Sequence, residues 1–145
     1  MTRRKRAIDE HYVRKASDET VNNSSDLQND NDLLFPVGTN ETWAFNIFLI
    51  HNSGTTPDIK FAMSVPSGAS SFATCHGADV GGTTYVGAMP ATLSGTGSNH
   101  PGEIHGVVRT GGTSGNVILQ WAQNIANSSD TKIIANSILM AWRVD

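Results

Sequence analysis

The sequence predicts an all-β protein: an antiparallel β-sandwich of jelly-roll type, with about eight strands and an extended or short-helical N-terminal arm. Three observations carry that expectation. Short segments with an apolar residue at every second position recur along the chain, as half-buried strands require. Clusters of Gly, Ser, Asn and Asp separate them, and Gly, Ser, Thr and Asn together make 54 of the 145 residues. No internal stretch holds a convincing helical period.

The first fifteen residues set Arg3, Arg4, Lys5, Arg6, Arg14 and Lys15 against Asp9 and Glu10, a net of +4, whereas residues 16–145 carry −7. The chain therefore reads as a basic arm, 1–18, on an acidic β-sandwich domain, 19–145. Apolar residues are sparse in the arm (Ala7, Ile8, Tyr12, Val13), so it is expected to order only against a partner.

Beyond it, Val21 and Leu27 on one side and Leu33 to Val37 on the other suggest two short strands. Asn29-Asp30-Asn31-Asp32 would form the corner between them, because Asn and Asp side chains bond their own backbone. The strongest segment is WAFNIFLI, where Trp43, Phe45, Ile47 and Leu49 alternate as one buried face. Its other face is Ala44, Asn46, Phe48 and Ile50, half apolar, where a sandwich strand in water normally turns polar. Either another part of the chain covers Phe48 and Ile50 or another subunit does, and the expectation is a subunit interface.

DIKFAMSV repeats the alternation, SFATCHG and TTYVGAM are shorter strands, and LSGTGSNHPG (93–102) reads as a long loop. IHGVVRT, NVILQWAQNIA and TKIIANSILMAWRV supply three final strands, with turns at Gly111-Gly112 and at residues 127–130. In the last segment β-branched residues favour strand over helix, and Ile134, Ile138, Met140, Trp142 and Val144 share one parity.

Composition narrows the partners. Charged residues are 16% of the chain, below the roughly 25% usual in soluble domains, and uncharged surface is cheap to desolvate against identical copies. The single cysteine, Cys75, allows no intrachain disulfide and suits a reducing compartment. The basic N-terminus has no apolar stretch behind it to make a secretory signal. No apolar run reaches the ~18 residues of a membrane-spanning helix, so no membrane partner is expected.

The segment KASDETVNNSSDLQNDNDLLFPVGTNETWAFNIFLI, with DIKFAMSVPSGA after it, resembles a recurring module in structural proteins of tailed bacteriophages and their prophages. The likeness lies in a Glu-Thr-Val start, a Leu-Gln plus acidic corner, a Phe-Pro-Val stub, an Asn-Glu-x-Trp turn, and an Asp-Ile-Lys-Phe segment. It covers roughly residues 15–70. The resemblance implies a trimeric β-sandwich component of the virion and does not imply an enzyme; such a component is expected to be assembled in the host cytoplasm.

Within a virion, the preferred expectation is a capsid decoration or cement protein. Its arm (Arg3, Arg4, Lys5, Arg6, Ile8, Tyr12, Val13, Arg14, Lys15) would grip the major capsid protein or another virion protein. A tail-tip or fibre-end module that binds host glycan is the alternative, with Trp43, Trp121 and Trp142 as sugar-stacking candidates that strand positions favour burying. The compact chain has neither repeats nor coiled-coil heptads, which favours the head. Nucleic acid is not the expected partner, since no aromatic platform accompanies the arm and the body is acidic.

Catalytic chemistry finds little purchase. A metal hydrolase using His100, Glu103 and His105 is the remote reading. Glu103 and His105 would share a strand face, but the spacing is not that of a helical His-Glu-x-x-His site, and Cys75 and His76 point opposite ways. The acidic corner lacks the Gly and distal Glu of a calcium loop. The Gly-rich SGTGSNHPG and RTGGTSGN lack the Lys and the strand-to-helix setting of a phosphate loop. There is no nucleophile elbow. No cofactor, metal or catalytic residue is expected.

Overall fold

A computed structural model describes residues 9–78 and 84–145, with side chains at 78 and 84–87 outside the description. The chain forms β1 (Glu10–Arg14), β2 (Glu19–Val21), β3 (Gln28–Val37), β4 (Thr42–Asn52), β5 (Ile59–Ser64) and β6 (Ser70–Ala78). It continues through β7 (Thr84–Ala88), β8 (Ala91–Leu93), β9 (Asn99–Arg109), β10 (Gly115–Gln123), β11 (Thr131–Ile133) and β12 (Ile138–Arg143). Among the described residues there is no helix.

Eight strands, β3 to β10, make four nested antiparallel pairs: β6 with β7, β5 with β8, β4 with β9, β3 with β10. Folding that ladder over on itself sets β10 against β5 and β9 against β6. Two sheets result, ordered β3-β10-β5-β8 and β4-β9-β6-β7, which is a jelly-roll sandwich. Among the described residues the count rises to twelve because segments on both sides of this ladder add strands to the larger sheet. There β12 pairs with β4, β1 pairs with β12, and β11 bridges β4 and β2.

The core lies between the sheets. β4 shows why the sequence could be read so directly, since its exposure alternates without a break along eleven residues. Trp43, Phe45, Ile47 and Leu49 face inward against Phe35, Phe61, Ile104, Leu119 and Trp121, all buried. Each such side chain contributes roughly 1.5–3 kcal/mol by leaving water.

Four local expectations are corrected. Asn29–Asp32 is not a corner between strands; it lies inside β3, and the turn runs instead through residues 22–27. The turn-forming residues still act locally, because the ladder pairs Ile118 with Leu34 and then Gln120 with Asn29, so residues 30–33 bulge out opposite one residue of β10. The 93–102 loop is shorter, because β9 begins at Asn99. The last segment is two strands, broken where Asn136 takes a left-handed conformation at φ 71°. Finally, the arm does not end at residue 18: Glu10–Arg14 is already an edge strand of the body.

Candidate interaction surface

The outward face of the larger sheet is built from the even-numbered residues of β4 and whatever pairs beside them. Phe48 stands between Ile138 and Glu103, Asn46 between Met140 and His105, and Ala44 between Trp142 and Val107. β1 adds Tyr12 beside Met140 and Arg14 beside Ile138, while β6 adds Phe72 beside Val107. Phe48 is 42% exposed, Tyr12 69% and Phe72 70%, and Ile138 and Val107 are exposed as well. Ile50 is half-buried, and the β11–β12 turn bonds its backbone: its N–H donates to Ser137 Oγ (2.9 Å), and its carbonyl accepts from Ile134 N–H (2.8 Å).

The reason for this apolar excess lies in β12. Its larger side chains, Ile138, Met140 and Trp142, take the outer parity, leaving Leu139 and Ala141 to the core. The sequence shows the alternation, but not which parity faces out. Six strands about 4.8 Å apart, up to eleven residues long, offer on the order of 800 Å². That is about what each partner contributes to a standard protein–protein interface.

A polar island interrupts the face on β9 and β6. The His76 and His105 rings lie 5.0 Å apart, His105 Nε2 is 3.0 Å from Thr74 Oγ1, and its Nδ1 is 3.7 Å from Glu103 Oε1. Beside it a shallow groove of about 480 Å³ is lined by Phe72, Thr74, Met89, His105 and Val107. His100 does not join this island. It pairs with His51 on the inward parity, its Nε2 2.6 Å from Thr96 Oγ1. His100, Glu103 and His105 therefore do not converge, and among the described residues no three His, Cys, Asp or Glu groups are set to hold a metal ion. Cys75 is buried, which pushes its thiol up to about 12, outside the reactive range.

Of the arm residues, Arg3, Arg4, Lys5, Arg6 and Ile8 lie outside the described residues. Tyr12 and Arg14 point outward, Tyr12 OH donating to Glu10 (2.9 Å) and Arg14 Nη1 to Asn136 Oδ1 (2.7 Å), while Val13 packs on the core.

Lys15 is not available to a partner at all: it is 1% exposed. Its ammonium donates to Glu19 (2.6 Å) and to both oxygens of Asp30 (3.0 and 3.1 Å), with Asp32 at 3.5 Å. Burial pulls its pKa down, but the hydrogen bonds and charges of Glu19 and Asp30 outweigh this and hold it above the ordinary lysine value. Asp30 also accepts from Trp121 Nε1 (3.0 Å) and from the amides of Asp32 (2.9 Å) and Leu33 (2.8 Å). The acidic segment that resembles an ion loop thus surrounds the chain's own cation.

No protein-family model and no curated protein sequence matches the chain. Among solved structures it is similar to VP2 of infectious bursal disease virus. For a mutant VP2 in derived T=1 particles, identity is 10% and the TM-score 0.34, over 96% of this chain and 40% of that one. For a VP2 subviral particle, identity is 11% and the TM-score 0.31, over 97% of this chain and 42% of that one. The chain spans about two fifths of the length of these solved chains.

The three tryptophans divide. Trp43 and Trp121 are buried, as their strand positions suggest, whereas Trp142 is half-exposed on the outer face. Sequence reasoning missed Phe72, Val107, Ile138 and Met140 as members of that face, and it missed Asp30 as the partner of Lys15.

Proposed function

We propose that the chain is a non-enzymatic structural protein of a virus particle. Its copies associate through the outer face of the larger sheet, and the basic residues before β1 tether the assembly to the particle. In its specific form the reading is a homotrimeric decoration or cement protein on a tailed-phage capsid, as the resemblance over residues 15–70 suggests. The observation that carries it is the cluster of Phe48, Ile138, Val107, Phe72 and Tyr12, exposed on one sheet face. An exposed apolar area of that breadth favours burial against another protein surface.

Phe48→Asp tests it. The side chain already lies outside the core, so the substitution leaves the fold intact while placing a charge within the apolar face. Light scattering should show an oligomer for the unaltered chain and monomers for the variant, both with the same far-UV signal. A variant that keeps its oligomeric mass would sink the reading. Copy number per particle then separates head from tail, hundreds against a handful. Trp142 keeps a tail-located, glycan-binding role as the second reading, since a half-exposed indole on a sheet face can stack on a sugar ring. A glycan-array signal lost in Trp142→Ala would favour it.

A further inference from the structure

We propose that β1 is a docking edge for a second copy of this chain. Two β1 strands join antiparallel with Tyr12 facing Tyr12, so that the larger sheet runs on from one copy into the next. The outer-face contact uses side chains that stand above the sheet, whereas this one uses main-chain groups in its plane. It goes beyond the outer-face reading and does not depend on it.

β1 bonds β12 through its odd-numbered residues. Lys15 N–H donates to the Ser137 carbonyl (2.8 Å) and Arg143 N–H to the Asp9 carbonyl (2.9 Å), which fixes the alternation of the ladder between them. The N–H and C=O groups of Glu10, Tyr12 and Arg14 therefore point off the edge of the sheet. Among the described residues no strand pairs with β1 on that side. Such a row is a template for another strand unless the edge is blunted. β3, the edge of the smaller sheet, carries Pro36 and the bulge at 30–33, and β2 and β8 are three residues each. β1 has neither proline nor bulge, and its register on β12 is unbroken.

Charge selects the occupant and the register. Glu10 and Arg14 lie on one face with Tyr12 midway, all three exposed. In an antiparallel pair centred on Tyr12, Glu10 of each copy stands opposite Arg14 of the other. All three outward residues then exchange main-chain hydrogen bonds, about six in total. A parallel pair in register sets like charge beside like, and an antiparallel shift of two residues breaks both charge pairs. Arg14 already donates to Asn136, and Glu10 accepts from Tyr12 OH, but a guanidinium has further donors and a carboxylate a second oxygen. A twofold contact cannot close a trimer, so in the homotrimeric form of the proposed function it links copies of neighbouring trimers. Threefold clusters joined pairwise extend into a layer, as a coat on a particle requires.

Disulfide trapping tests this on full chains that also carry Phe48→Asp, so that the outer face takes no part. Three rungs are too few to hold copies together in dilute solution, which makes trapping rather than mass the readout. Facing residues of a hydrogen-bonded pair have Cα atoms about 5.5 Å apart, within disulfide reach. Cys75 is buried and does not compete. In a glutathione redox buffer, Tyr12→Cys should form covalent dimers about tenfold or more faster than Glu10→Cys or Arg14→Cys alone. A mixture of those two variants should approach the Tyr12→Cys rate. Adding Arg14→Glu to Tyr12→Cys should slow trapping about tenfold, and adding Glu10→Arg as well should restore it. Equal rates at the three positions, or indifference to charge reversal, would overturn the proposal. So would trapping that appears only once residues 1–8 are deleted, because the chain's own leading segment would then hold the edge. An unaltered chain found monomeric by light scattering would sink the outer-face reading and leave this one standing.

Discussion

An ammonium group ringed by three carboxylates and nearly shut off from water is held by the whole of its surroundings. Lys15 is that group, and its loss would strand the buried carboxylate of Asp30. Removing one partner of a buried ion pair costs about 3–5 kcal/mol, so Lys15→Met should lower stability by that order in urea unfolding. His51 is the opposite case: it is 1% exposed, and neither ring nitrogen meets a hydrogen-bond partner among the described residues. Burial, and then the nearby His100, hold its imidazole down at about 4, from an ordinary value of 6.5. The unfolded chain takes up this proton first as pH falls. Stability is therefore full above about pH 6.5 and declines by up to about 3 kcal/mol on approach to pH 4. His51→Leu should flatten that acid limb, measured as urea midpoints at pH 7 and 4.5.

At the scale of elements, β1 belongs to the body rather than the tether. It pairs with β12 along five residues, its His11 stacks on Trp43 at 5.3 Å, and its Val13 packs on the core. Deleting residues 1–8 should leave the thermal midpoint unchanged and remove only attachment to the particle. Deleting residues 1–15 should lower the midpoint sharply, because it strips an edge strand and the Lys15 cation together. Strands are legible in the sequence where burial alone dictates them. WAFNIFLI announces β4 because one face must be apolar, whereas EHYVR conceals β1, an edge strand with few buried positions. The bulge in β3 was legible as turn chemistry, but its reason, Lys15, approaches from fifteen residues upstream. The outer face stayed hidden for a related reason: only the register of Leu139 on Ile47 decides that Ile138, Met140 and Trp142 look away from the core.

For the whole molecule, the fold class followed from composition and period, while the proposed association depends on a surface that only topology assembles. Phe72, Val107, Phe48, Ile138 and Tyr12 come from five different strands and share no motif. The same topology fixes where the proposed attachment would act. The Asp9 carbonyl accepts a hydrogen bond from the Arg143 amide (2.9 Å), so residue 9 lies beside the end of β12. That is the end of the sandwich where β3 turns into β4 and β9 into β10. A docked copy would present this end to the particle and the His51 end, with its 53–58 and 94–98 loops, away from it.

The nested ladder also sets a timetable. The β6–β7 hairpin closes the shortest span of chain, whereas Val37 must find Gly115 to start the outermost rung. Refolding should proceed from the middle of the chain outward, on the millisecond-to-second scale of non-local β topologies. In stopped-flow experiments Cys75→Ala, at the innermost rung, should slow the refolding limb. Val13→Ala, on the last strand to dock, should quicken only the unfolding limb.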